Sequence, residues 1–465
     1  MSTVTAAFSG LNAGTIATWS GSSSVLLKTV AAMPVCGMNN DSRKIGKGEI
    51  FVALTTDKDD GHCYVAAALK QGAVAALVAR SKVKNITGID SNRLIVVNDP
   101  IAALRRIATA YRAQLDMPFI GITGSSGKTT ARNFIAQVLR QKMQIGETIG
   151  NLNNHLGVPF SLLRFTGKED VGIIEMGANH TREIHALSSI VRPTIGIITN
   201  IGYAHIGYFG SLKNIADAKM EIVDGMKDPN GFIMLNGDDR LLVKKAARLK
   251  QDVVFFGFSK QCHIRAVNDR LTADKRMCFE VNGVEYGLAM PGRHFIYSAL
   301  PALFLGRYFG IGESAIIKSL AAMQPVAMRG TIEKKSGATF IVDCYNANPS
   351  SMKSALRLLQ DVAGKLPSIA IVGDMLELGT YARRLHRALG QQLAHAGVAR
   401  VIAVGEYASL IADGAVAAGM RANAITIASN SVEALTYAKK IVKPGSVVLL
   451  KGSRGVHLET VYEGF

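Results

Sequence analysis

Short apolar runs alternate with longer amphipathic stretches along most of this chain. In the first stretch, to about Asp116, strand-like runs fall at 49–54, 73–78 and 94–97, with a helix-like segment at 64–71. A helix is predicted over 101–114, ended by Met117-Pro118 because the residue before proline is steered away from helix. The second stretch opens with a clear strand at 119–123, a Gly-rich turn and a helix through 132–142. Further apolar runs follow at 171–174, 194–199 and 232–235. A third stretch begins near Thr331, with strands at 339–343, 368–372, 400–404, 424–428 and 446–450. Strands alternating with helical patterns mean parallel sheets covered on both faces. The expected architecture is therefore α/β with three domains, over 1–116, 117–330 and 331–465. The last is a Rossmann-like, doubly wound unit, with a hinge at Arg329-Gly330.

Composition narrows the choices. Of 465 residues, 48% are hydrophobic and 19% charged, which supplies real cores and excludes wholesale disorder. The cysteines Cys36, Cys63, Cys262, Cys278 and Cys344 form no C-x-x-C pair and are odd in number. That argues against a zinc site or a secreted disulfide framework and fits a reducing cytoplasm. The first cation after the α-amine is Lys28, so no signal peptide is expected, and no apolar run approaches the roughly 20 residues that span a bilayer. The formal net charge of +18 admits nucleic acid, a membrane surface or small anionic substrates as partners. A single Trp, with no aromatic-basic repeats and cations spread along the chain, counts against nucleic acid.

The strongest chemical signal is Gly124-Ser125-Ser126-Gly127-Lys128-Thr129-Thr130, between a strand and a helix. Small residues let backbone N–H groups close around phosphate oxygens, and the helix N-terminus adds its positive end. Lys128 neutralises phosphate charge and Thr129 offers a hydroxyl to Mg²⁺. Ile122 stands where the longer form of this loop has its first glycine, so the loop is a shortened variant. The pattern predicts a central P-loop parallel-sheet ATPase domain, hence an ATP-using enzyme or a nucleotide switch.

Other candidates sit at strand ends. Glu175 closes the run 171–174, where a carboxylate faces the ligand crevice and suits Mg²⁺, or simply caps a helix. His205 follows the run 194–199 beside the same crevice, in either a structural or a catalytic role. Lys219 reads alone as one helix lysine among many. Asn151, Asn153 and Asn154, with His155, supply neutral donors for anionic oxygen or a polar turn before a helix. In the third stretch, 343–349, 373–379 and 451–455 each follow a strand and would gather on one sheet edge.

Taken together these motifs resemble the Mur ligase family, ATP-dependent amide-bond ligases of peptidoglycan synthesis, over nearly the whole chain. Ala204-His205, the run Tyr345-Asn346-Ala347-Asn348-Pro349 and the run Met375-Leu376-Glu377-Leu378-Gly379 are similar to the branch whose amino substrate is D-alanyl-D-alanine. Asp41-Ser42-Arg43 and Asp60-Gly61-His62 are similar to the family's uridine-nucleotide domain. The resemblance implies that ATP phosphorylates the terminal carboxylate of UDP-N-acetylmuramoyl-tripeptide. The dipeptide amine then attacks the acyl phosphate, in the cytoplasm, within a monomer.

The resemblance also implies residue roles. Lys128 and Asn151 act on the phosphoryl group; Gly124, Ser125, Ser126, Gly127 and Thr130 cradle it. Thr129 and Glu175 hold magnesium, with His205 near a second ion. Lys219 carries a CO₂-derived carbamate that binds magnesium. Arg329 and Asp343 contact the nucleotide. Ser42 and Arg43 face the uridine diphosphate. Asn153, Asn154, Asn346, Asn348, Ser453 and Arg454 bind substrate. In the helix after Met290-Pro291-Gly292 the family pattern is His-Asn followed by Asn-Ala. Here Phe295 and Ser298 replace both asparagines, the first of which commonly contacts adenine. One or two lost base hydrogen bonds would cost about 1–3 kcal/mol. The alternatives are a Mur-type ligase with another amino substrate and a catalytically weakened relative. The surplus positive charge allows peripheral contact with an acidic membrane face.

Overall fold

The structure, a computed structural model, describes residues 10–24 and 26–465. Its four sheets follow the chain. The first is parallel, in the order β1-β2-β3-β4, from Gly37–Asn39, Glu49–Val52, Ala75–Ala79 and Leu94–Val97. The helix Pro100–Arg112 leads out of it. Its start is set by Asp99, whose Oδ1 accepts from the Ile101 and Ala102 N–H groups at 2.8 and 3.2 Å, with proline in the first turn.

The central sheet has seven parallel strands: β5 Phe119–Thr123, β6 Ile145–Glu147, β7 Val171–Glu175, β8 Ile195–Ile198, β9 Phe232–Asn236, β10 Asp252–Gly257 and β11 Ile264–Arg265. Their order is β11-β10-β9-β8-β5-β7-β6. The strand period of two divides their side chains between two cores. Ile120, Ile122, Ile173, Ile197 and Met234 join Phe134, Ile296 and Leu300 on one face. Phe119, Ile174, Ile198, Ile233 and Leu235 join Ile184, Leu187 and Ile215 on the other. Because β7 and β8 flank β5, the loops leaving all three open into one crevice, the place where such sheets bind ligands.

Two features depart from the expected pattern. First, Val267–Leu271, Met277–Val281 and Val284–Leu288 form an antiparallel meander (β12, β13, β14) outside the parallel sheet. Half-exposed polar residues dilute its apolar signal. Its turn, Asn282-Gly283 with φ of 52° and 78°, is the pair that tight hairpins favour. Second, the last sheet, in the order β15-β16-β20-β17-β18-β19, carries an antiparallel edge strand. Its strands are Thr331–Lys335, Ala338–Val342, Ser368–Gly373, Arg400–Val404, Ile425–Ala428 and Val447–Lys451 in chain order. The hairpin Ser336-Gly337 turns β15 back onto β16. The fold class is α/β, and no described helix is long and apolar enough to cross a membrane.

Candidate active site

A cleft of about 1050 Å³ lies where the carboxyl ends of β5, β7 and β8 face the loops after β16. The loop 124–127 follows β5, and its helix, Lys128–Leu139, starts four residues earlier than the pattern indicated. Gly124 is required there. Its φ is +145°, and a Cβ would stand 2.0 Å from Thr199 Oγ1. The loop is held from β8: Asn200 Oδ1 accepts from the Ser126 N–H at 3.0 Å, and Thr199 Oγ1 donates to the Ser126 carbonyl at 2.6 Å. Lys128 Nζ folds back to donate to the Gly124 carbonyl at 2.8 Å. Burial lowers the Lys128 pKa, opposed by Glu175 and reinforced by Arg329.

Beside the loop, Thr129 Oγ1 donates to Glu175 Oε2 at 2.8 Å, and Asn153 Nδ2 donates to Glu175 Oε1 at 2.8 Å. Glu175 is buried, with Arg132 Nη1 3.8 Å from its carboxylate. Among the described residues no group of three or more His, Cys, Asp or Glu forms a protein-only metal cage. A hydroxyl and one carboxylate are chemically suited to a magnesium ion whose other ligands are phosphates and water. Asn151 and His155 line the cleft as well. Asn154, also on its wall, uses Oδ1 to accept from the Leu156 and Gly157 N–H groups at the start of helix Gly157–Leu162.

His205 lines the cleft with its backbone at φ 59°, and its Nδ1 lies 2.5 Å from Glu377 Oε2 in the loop after β17. That contact is close but not aligned as a hydrogen bond. Lys219 is 2% exposed and absent from the cleft wall; its Nζ lies 3.4 Å from the carbonyl of Ala178, which is on that wall. Burial pushes its pKa down to about 7, with Lys128 adding repulsion, while Glu183 and Glu221 oppose.

From the last sheet, Asp343 Oδ2 accepts from Lys451 Nζ at 2.7 Å, and burial raises the Asp343 pKa. The Arg329 guanidinium lies 4.1 Å from the Tyr345 ring centroid. The Asn346 carbonyl takes a second Lys451 bond at 3.0 Å. Asn348 caps the helix Pro349–Ala363 and sends Nδ2 to Ser126 Oγ at 3.1 Å, a direct link from the last sheet's loops to the phosphate loop. At the far end of the cleft Phe295 is buried, its ring stacked 6.5 Å from Phe134. Tyr297 Oη donates to Asp238 Oδ2 at 2.8 Å, and Ser298 is 6% exposed. Phe295 therefore serves the apolar core where the family pattern has a polar amide. Beside it, burial pushes the His294 pKa down to about 4.

Some expected residues lie elsewhere. Arg43 is exposed and paired with Asp41 at 2.9 Å, and Ser42 adjoins it, outside the cleft. Ser453 Oγ accepts from the Leu376 N–H, and Arg454 reaches Met328 and Glu459; neither lines the cleft. Conversely, Thr148, whose Oγ1 accepts from the Glu175 N–H, and the Asp238–Tyr297 pair were not singled out. Asp238 falls just past the carboxyl end of β9, and that position is the one signal that could have marked it.

A strand–loop–helix phosphate cradle with a hydroxyl-carboxylate cation site defines a P-loop nucleotide-using enzyme. The family descriptions "Mur ligase middle domain" and "Mur ligase, glutamate ligase domain" match residues 122–306 and 328–454. The UDP-N-acetylmuramoyl-tripeptide–D-alanyl-D-alanine ligase of Bacillus subtilis (strain 168) is 32% identical over 428 residues, covering 91% of this chain and 92% of its own length. The protein of that name from Escherichia coli (strain K12) is 32% identical, with the same coverage of each chain. The crystal structure of MurF from Acinetobacter baumannii matches with a TM-score of 0.87 at 29% identity, covering 97% of this chain and 98% of that one. MurF ligase from Thermotoga maritima in complex with ADP matches with a TM-score of 0.80 at 26% identity, covering 95% and 98%. The chain belongs to the Mur ligase family and is an ATP-dependent ligase.

Proposed function

We propose that this enzyme joins D-alanyl-D-alanine to UDP-N-acetylmuramoyl-tripeptide, with hydrolysis of ATP to ADP and phosphate. The observation that carries this reading is the likeness, over nine-tenths of the chain, to ligases bearing that name. The tripeptide carboxylate oxygen attacks the γ-phosphorus and the bond to ADP breaks, leaving an acyl phosphate. The dipeptide amine adds to the acyl carbon, loses a proton, and phosphate departs as the amide forms. Segment 1–116 takes the uridine end of the precursor, 117–330 takes ATP and 331–465 takes the dipeptide.

Lys128 and Asn151 neutralise the transferring phosphoryl group. Thr129 and Glu175, 2.8 Å apart, hold Mg²⁺, which screens phosphate charge when bound. Arg329 and Asp343 take the nucleotide from the side of the last sheet. Lys219 accepts CO₂ at its amine and releases a proton, and its burial supports this because only the neutral amine reacts. The new carboxylate turns a cation into an anionic oxygen donor near His205, suited to a second ion. The enzyme works as a cytoplasmic monomer. Purified protein with the tripeptide precursor, ATP and Mg²⁺ is expected to release phosphate only when D-alanyl-D-alanine is added. Phosphate release that ignores the dipeptide would overturn the assignment.

A further inference from the structure

The loop 374–381, after β17, is a finger anchored at its base and docked at its tip. At the base, the Asp374 carboxylate accepts from the Glu406 and Tyr407 N–H groups at 2.7 and 3.1 Å. Buried His386 Nε2 accepts from the Met375 N–H at 2.9 Å, and Ser453 Oγ accepts from the Leu376 N–H at 2.9 Å. The ends of β17, β18 and β20 thus fix one loop conformation. At the tip the backbone turns through two left-handed residues, Glu377 at φ 62° and Gly379 at φ 53°. A left-handed non-glycine residue is strained and persists only where surrounding contacts enforce it.

Those contacts come from the other sheet's domain. The Glu377 carbonyl accepts from the Gly207 N–H at 2.9 Å, and Tyr381 Oη donates to the Gly210 carbonyl at 2.8 Å. The Glu377 carboxylate meets His205 Nδ1 at 2.5 Å. The backbones are so close that a Cβ on Gly207 would stand 2.7 Å from the Gly379 nitrogen and 2.8 Å from the Glu377 oxygen. The surface that receives the finger is bonded to the phosphate loop. Ser125 Oγ accepts from the Gly202 N–H at 2.9 Å, and Asn200 Oδ1 accepts from the Ser126 N–H at 3.0 Å.

We propose that Glu377 is a positioning residue for the ligase reaction. Its finger seats the third domain against the segment 202–210, and its carboxylate stands 2.5 Å from His205 Nδ1. Nδ1 is buried against Glu377, while the residue itself lines the cleft. Docking then aligns the loops of the last sheet with the phosphate loop, to which the segment 202–210 is itself bonded through Gly202. The motif 375–379 is thus an interdomain clasp. This assignment rests on the proposed reaction for its kinetic readout alone.

Two disruptive variants and one conservative variant of the full chain test it. Gly207→Ala places a methyl group in the interface while suiting the short helix Ile206–Phe209. Glu377→Ala removes the carboxylate. Each is expected to lower kcat at saturating dipeptide at least tenfold, with ATP affinity and thermal midpoint near wild type. Glu377→Gln, which keeps the length and one acceptor, should recover part of the loss. Small-angle scattering with ADP bound should show a larger radius of gyration for Gly207→Ala than for wild type. Wild-type kcat in both variants, or identical scattering from Gly207→Ala and wild type, would overturn the clasp. A wild-type protein inactive with the dipeptide would refute the proposed reaction instead, and scattering would still decide the clasp.

Discussion

Lys219 is the residue whose burial asks most of the fold. An amine held near pKa 7 instead of 10.5 is about 90% neutral at pH 8, against roughly 0.3% in water, so its reactive form is enriched about 300-fold. The cost is in stability. Between pH 7 and 10.5 the unfolded chain binds the proton that the folded chain has lost, so stability rises with pH across that window. Below pH 7 the penalty is complete, at about 5 kcal/mol. Lys219→Met should therefore be more stable than wild type by several kcal/mol at pH 6 in CO₂-free buffer, with the gap narrowing as pH rises toward 10. Urea unfolding at pH 6, 8 and 9.5 measures this. The same variant should lose ligase activity, and Lys219→Ala should regain part of it with added short carboxylates. A Lys219→Met protein that is less stable than wild type at pH 6, with no change of the gap with pH, would refute the burial argument. Full activity in either variant would refute the carbamate.

Three further outcomes follow from the same geometry. Glu175→Gln keeps the side-chain shape around Thr129 and Asn153 but removes the one carboxylate of the proposed cation site; kcat should fall at least a hundredfold, read against a magnesium titration. Gly124→Ala forces a methyl group onto Thr199 Oγ1 at an unsuitable φ; ATP binding, followed by calorimetry, should be lost and the thermal midpoint lowered. Phe295→Asn restores the family's amide but empties a core position, so unfolding free energy should fall by about 3–5 kcal/mol in urea titrations even if ATP affinity improves.

Much of the nucleotide site is legible in the chain itself because it depends on local chemistry. β5 is a five-residue buried run, and the residues after it are small enough for only one kind of loop. Glu175 is marked by its place at the end of β7. Contacts between distant segments leave no such trace. Glu377 and His205 are far apart in sequence, and neither neighbourhood announces the other. Lys219 sits in Ala218-Lys219-Met220-Glu221, which reads as a surface helix; its burial comes from packing against distant segments. The meander β12–β14 is hidden because strand Val267–Leu271 is mostly polar, although Asn282-Gly283 marks its turn. The +18 charge is only partly used by Lys128 and Arg329 at the cleft.

The acyl phosphate is the chemical centre of the proposed reaction, and isotope transfer reads it directly. UDP-N-acetylmuramoyl-tripeptide labelled with ¹⁸O in its terminal carboxylate is incubated with ATP, Mg²⁺ and D-alanyl-D-alanine, and the released phosphate is weighed by mass spectrometry. One ¹⁸O per phosphate, with a product heavier by the dipeptide less one labelled water, is expected. Unlabelled phosphate released alongside the dipeptide product would contradict it.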